Sequence, residues 1–164
     1  MNTTHPPRKP RAIVVGVDGS EPSITALKLA AQLTPLIGDI IRAVTAWQHP
    51  AALGFFTPVD WNPAEQANLA LDQALSAAFQ DEPPCRIERR VLHGSPAQVL
   101  IDESRHASML VVGSRGHGGF AGLLLGSVSS AVAERSKCPV VIAHSALQLP
   151  DSESSAAQPT GVSA

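Results

Sequence analysis

Two alternating patterns of apolar and polar positions run along the chain. Residues 12–17 (AIVVGV) form a short, nearly all-apolar run, which predicts a parallel strand covered on both faces. The run ends at Asp18-Gly19-Ser20. Ser20 then suits a helix N-cap, Pro22 suits the first turn, and Ile24, Leu27 and Ala31 recur at helical spacing. Pro35 and Gly38 are expected to close this helix. A second strand is predicted over Ile40–Trp47. Residues 48–62 (QHPAALGFFTPVDWN) mix prolines, a glycine and aromatic residues without a clean period, which predicts a long loop. A helix is expected over Pro63–Phe79, with Ala67, Leu69, Leu71, Leu75 and Ala78 apolar and Pro83-Pro84 ending it.

Residues 86–92 (RIERRVL) alternate polar and apolar side chains, the pattern of an edge strand with one solvated face. His93-Gly94-Ser95-Pro96 turns into a helix over 96–105, with His93 a turn residue, and residues 109–112 read as a fourth, buried strand. A glycine-rich stretch follows, then a helix over about 127–136, and Cys138-Pro139 leads into a fifth strand, Val140–Ala143. Five strands with intervening helices predict an α/β fold, an open parallel sheet doubly wound by helices on both faces, Rossmann-like in class. Ligands of such sheets sit at the carboxyl ends of the strands, where the strand order reverses. Asp18 after the first strand and the glycine loop after the fourth are therefore the expected site.

Composition narrows the function classes. The 164 residues carry 12 Lys and Arg against 14 Asp and Glu, a net charge of −2, and 44% hydrophobic residues, which suits one domain with a sizeable core and no general attraction to nucleic acid. The domain is expected over 11–146, flanked by polar tails over 1–10 and 147–164. No stretch predicts a membrane span, and no apolar segment follows the basic residues near the start, so no secretory signal is read there. Cys85 and Cys138 form no metal-ligand pair in sequence and are expected as two buried, reduced thiols. A cytoplasmic protein is the expectation. Arg86, Arg89 and Arg90 make a basic stripe, but Glu88 interrupts it, so a solvated edge guarded by charge is the preferred account.

Glycine carries the chemistry. Of the 12 glycines, Gly113, Gly116, Gly118, Gly119, Gly122 and Gly126 fall within 14 consecutive positions, between a buried strand and a helix N-terminus. Free backbone amides and the helix dipole favour an anion there, and glycine lets the backbone approach a ligand closely. A phosphate is the natural guest. The chain has no Gly-Lys pair and so no Walker A loop, and no G-x-S-x-G elbow. Gly116, Gly118 and Ala121 match a relaxed dinucleotide pattern, but no acid follows the next strand, which runs out at His144-Ser145.

Gly113, two residues, Gly116, nine residues and then Gly126-Ser127 is a spacing that resembles the ATP-binding branch of the universal stress protein family, whose signature is G-x2-G-x9-G-[ST]. Val15-Gly16-Val17-Asp18-Gly19-Ser20 and Cys138-Pro139-Val140-Val141-Ile142 strengthen the resemblance, which covers nearly all of residues 11–146. It implies a five-stranded sheet of order 3-2-1-4-5, similar to the adenine nucleotide alpha hydrolase-like proteins. It further implies that Asp18 contacts the adenosine, with Gly16 on the site wall, and that the backbone of Val44 reads the adenine edge. Gly113, Gly116, Gly126 and Ser127 match the signature itself. The loop, with Ser114, Arg115, His117, Gly118 and Gly119, is implied to wrap the ribose and phosphates, Ser127 offering hydroxyl and amide and Val128 its amide. ATP, accompanied by Mg²⁺, is the implied ligand of a stress-response or signalling module, and a homodimer through Val140–Ala143 is the implied assembly. Cyclic AMP in the same pocket, a slow ATPase and a ligand-free interaction module are the alternatives.

Other assignments stay open at the level of sequence. Asp18 before Gly19-Ser20 also suits a turn-shaping role, and Arg115 suits either phosphate or solvent. No catalytic residue is assigned, because His117 has no carboxylate placed in sequence to orient it, and the histidines form no metal set. Phe55, Phe56 and Trp61 suit packing on the domain or on a partner, or a lid over the nucleotide.

Overall fold

The structure, a computed structural model, describes residues 10–49, 62–80, 82–116 and 124–144. The expectations for tail residues 1–9 and 147–164, and for Phe55, Phe56 and Trp61, concern residues outside these ranges. Nine elements alternate along the chain: β1 (Ala12–Gly16), α1 (Glu21–Ile37), β2 (Ile40–Trp47), α2 (Pro63–Phe79), β3 (Ile87–His93), α3 (Pro96–Ser104), β4 (Ala107–Gly113), α4 (Ser127–Arg135) and β5 (Val140–Ala143).

The five strands form one sheet in the order β3-β2-β1-β4-β5, parallel throughout, with Gly16 opposite Val44, Val15 opposite Val111 and Val112 opposite Ile142. Its two faces bury separate apolar sets, as alternating side chains on a doubly covered strand require. Ile13, Val15, Ile41 and Val111 pack with Leu27 of α1 and Leu71 of α2. Val14, Val44 and Leu110 pack with Leu100 of α3 and Val132 of α4. Helices therefore cover both faces, as the periodicity predicts.

Several boundaries differ from expectation. Pro35 does not end α1, which runs through it to Ile37. Near a C-terminus the missing proline amide removes only one late helical bond, and Thr34 remains inside the helix with its hydroxyl donating to the Ala30 carbonyl at 2.7 Å. The helix stops at Gly38, whose amide donates to Thr34. Helix α2 ends at Gln80 in the left-handed region (φ 51°), ahead of Pro83-Pro84. Strand β4 begins at Ala107, two residues before the apolar run, and its register against β1 is irregular between Ala12 and Ile13.

The cysteines also differ. Both are free and half-buried. Cys85 packs with the apolar set under α1 and α2 and Cys138 with the set under α3 and α4, and burial pushes the Cys138 thiol pKa up. Among the described residues, no helix is long and apolar enough to cross a membrane.

Candidate functional site

Because β1 continues to β2 on one side while β4 lies on the other, a crevice opens at the carboxyl ends of these strands. A cleft of about 660 Å³ occupies it, within the range of small-molecule sites. Asp18, one residue past Val17, stands at its edge. Asp18 Oδ1 accepts the Ser20 amide at 3.0 Å and the Ser20 hydroxyl, a side-chain turn that carries the chain into α1. Gly19 at φ 83° completes that bend. The turn-shaping role of Asp18 is thus present, and it leaves Oδ2 facing the glycine loop: a Cβ placed on Gly116 would collide with it.

Gly113 and Gly116 are required for contact, and none of the three signature glycines for conformation. Gly19 and Gly94 are the glycines with positive φ among the described residues, so Gly113, Gly116 and Gly126 need no left-handed backbone. At Gly113 a Cβ would lie 2.7 Å from Pro22 Cβ and 2.8 Å from its carbonyl carbon, so this glycine lets the first turn of α1 pack on the end of β4. At Gly126 the nearest atoms would be 3.5 Å away or more, ordinary contact distance. A Cβ at Gly126 would therefore fit within the protein, and Gly126 lines the cleft.

The glycine loop is tied at its neck. The Ser114 carbonyl accepts the Gly126 amide at 2.8 Å and the Ser129 hydroxyl at 2.9 Å, while the Ser114 amide donates to Ala143 at 2.7 Å. These bonds bring the end of β4 beside the start of α4. Ser114 is consequently buried and does not line the cleft. Helix α4 starts at the neck with Gly126 as N-cap, without a side-chain cap and without an acid in its first turn. Its first amides have no acceptor within the helix, and Ser127, Val128 and Ser129 line the cleft. The hydroxyl of Ser129 is spent on the neck, whereas Ser127 is exposed.

Of the residues named from sequence, Gly16, Asp18, Val44, Gly113, Arg115, Gly116, Gly126, Ser127 and Val128 come together on this one cleft. Ser114 sits behind it, and His117, Gly118 and Gly119 lie outside the described residues. Val44 has its side chain in the core, and its carbonyl accepts the Val17 amide at 2.8 Å. Backbone groups alternate along a strand, so Ala46 points the same way as Val44 but past the last residue of β1. Ala46 also lines the cleft.

Sequence reasoning missed the wall opposite α4. Pro63, Gln66, Ala67 and Ala70 of α2 line it together with Trp47 and Gln48. Small inward residues of a helix carry no chemical signal, whereas a tryptophan at the carboxyl end of β2 did offer one. His93, expected in a turn, is the last residue of β3, with its ring against Trp47. Among the described residues, no group of three or more His, Cys, Asp or Glu could hold a metal ion, and Asp18 is the one carboxylate among the described residues that line the cleft.

Comparison with known proteins agrees with this architecture. The universal stress protein family matches residues 10–144. A universal stress protein of Mycobacterium tuberculosis is 36% identical over 145 residues, covering 87% of this chain and 48% of the relative. One of Mycolicibacterium smegmatis is 36% identical over 131 residues, covering 79% and 44%. The chain thus spans about half the length of the curated relatives it matches. Among solved structures, a universal stress protein in complex with cAMP is 30% identical with a TM-score of 0.58, covering 84% of this chain and 99% of the other. A universal stress protein from Archaeoglobus fulgidus is 25% identical with a TM-score of 0.61, covering 81% and 93%. With sheet order, family match and identity in accord, the chain belongs to the universal stress protein family.

Proposed function

We propose that this chain binds an adenine nucleotide in the cleft, with ATP as the ligand, and acts as a nucleotide-dependent stress-response module that holds the nucleotide rather than turning it over rapidly. The observation that carries this reading is the start of α4. A helix N-terminus without cap or acid opens into a cleft of nucleotide-binding size that Asp18 and Gly116 also line. Amides so placed suit phosphate oxygens, and Asp18 suits the hydroxyls of a ribose. Arg115 on the cleft wall adds a positive charge for the phosphates. Mg²⁺ accompanies the triphosphate chiefly through phosphate oxygens. Asp18, with one oxygen engaged by Ser20, is poorly placed to activate water, which supports holding over hydrolysis.

Cyclic AMP is the second reading, and one observation favours it: the universal stress protein that is 30% identical was solved with cAMP. Extraction of nucleotide from the freshly purified protein, identified by mass, separates the two. The expected result is ATP or its diphosphate; cyclic AMP alone would replace the first reading with the second.

A further inference from the structure

We propose that Trp47 is the wall of the cleft against which the purine ring packs, and so the residue that makes the site prefer a base-bearing nucleotide over its sugar phosphate. This rests on the nucleotide-binding reading above. Trp47, the last residue of β2, belongs to neither apolar set of the core. It is half-buried and lines the cleft, and among the described residues that do so it is the one Phe, Trp or Tyr. Covering a half-buried aromatic surface on a cleft wall with a flat apolar ring is favourable.

The ring is held for such a contact. The Trp47 carbonyl accepts the Gly94 amide at 2.8 Å, and strand register places Trp47 opposite His93. The His93 ring meets the indole at 4.6 Å between centroids and 69° between planes, and the His49 ring at 5.4 Å and 85°. Both are edge contacts, so the imidazoles brace the indole without lying flat against it. A side chain already immobilised loses little further freedom when a ligand arrives.

The two helices that open on the cleft also differ at their N-termini. Pro63, Ala67 and Ala70 of α2 line the cleft. The N-terminus of α2 is occupied by the Asn62 side chain, which accepts from the Glu65 amide at 3.3 Å, and its first turn carries the acid Glu65. That helix end disfavours a further anion, whereas the start of α4 has neither cap nor acid. Phosphates therefore belong at α4 and the base at Trp47, where Gln48 and Gln66 add amide groups for the base edge.

The test compares AMP with ribose 5-phosphate on the full chain. Trp47→Ala is expected to weaken AMP binding on the order of tenfold, to leave ribose 5-phosphate within about twofold, and Trp47→Phe to restore most of the AMP affinity. In a Trp61→Phe background, which leaves Trp47 as the sole tryptophan, AMP is expected to shift the indole fluorescence and ribose 5-phosphate to leave it unchanged. Unchanged AMP affinity in Trp47→Ala, or equal losses for both ligands, overturns the assignment while sparing the nucleotide site. A wild-type protein that binds AMP no more tightly than ribose 5-phosphate overturns the assignment, and one that binds neither of these nor ATP overturns both.

Discussion

Gly113 and Gly126 belong to one signature spacing, yet the structure gives them different reasons to lack a side chain. Gly113 touches the backbone of Pro22 and Ser23, and a Cβ there would fall within 3.0 Å of three atoms of α1's first turn. Gly126, with backbone angles open to any residue (φ −75°, ψ 168°), meets only ordinary contacts. Gly113→Ala is therefore expected to destabilise the fold by about 1–3 kcal/mol, whereas Gly126→Val should keep its thermal midpoint and lose nucleotide affinity. Melting curves and nucleotide titrations on both variants check this; a Gly126→Val protein that binds as well as wild type contradicts it. The spacing was legible in the sequence because it is a local count. The reasons were not, since the contact of Gly113 with Pro22 joins positions brought together only when α1 packs on β4. Asp18 shows the same limit: its turn with Ser20 is local and was legible, but its approach to Gly116 is tertiary.

Elements are held by a charged group that the sequence pattern hides. Arg42 of β2, with a side chain only 15% exposed, reaches Glu88 of β3 at 2.9 Å and Glu103 of α3 at 3.3 Å. From sequence, Glu88 merely interrupted a basic stripe; folded, it satisfies a half-buried guanidinium, and Arg89 pairs with Asp72 of α2. The hydrogen bond from Arg42, outweighing the opposing effect of burial, holds the Glu88 carboxyl below its ordinary value of 4.5. A carboxylate lowered on folding contributes stability that is complete above its unfolded pKa and lost as pH falls through the folded one. Unfolding by denaturant should therefore become easier as pH drops below 4.5. Arg42→Ala is expected to cost about 1–3 kcal/mol at neutral pH by removing the guanidinium that pairs with Glu103 and leaving Glu88 with Arg90 alone, and to flatten that acid dependence; an unchanged acid slope contradicts the role assigned to Arg42. Helices and strands themselves were legible because their periods are local. The exceptions have separate reasons: α1 runs through Pro35 because the missing amide costs only one late helical bond, and β4 starts early because Ala107 pairs with Ala12 of β1.

At the scale of the molecule, strand alternation made the α/β class legible, and the family resemblance supplied the order 3-2-1-4-5. The cleft was legible on its glycine side and illegible on its α2 side, because Ala67, Ala70 and Trp47 become a wall only by packing. The sheet leaves β5 as an edge with Val140, Val141 and Ile142 half-exposed, the edge that the homodimer implied by the family resemblance would remove by pairing with a twofold mate. Leu110 donates to Pro139 and Ser114 to Ala143, so alternation turns the Ile142 amide outward. Ile142→Pro should then abolish the dimer and keep the circular-dichroism spectrum; sedimentation showing an intact dimer contradicts the β5 interface. The proposed adenine-nucleotide site in the cleft at the carboxyl ends of β1, β2 and β4 is tested most directly by calorimetric titration of the nucleotide-free protein. Saturable heat with ATP at one site per chain, lost in Gly126→Val, is the predicted result. No heat from folded protein with ATP, ADP, AMP or cyclic AMP would contradict it.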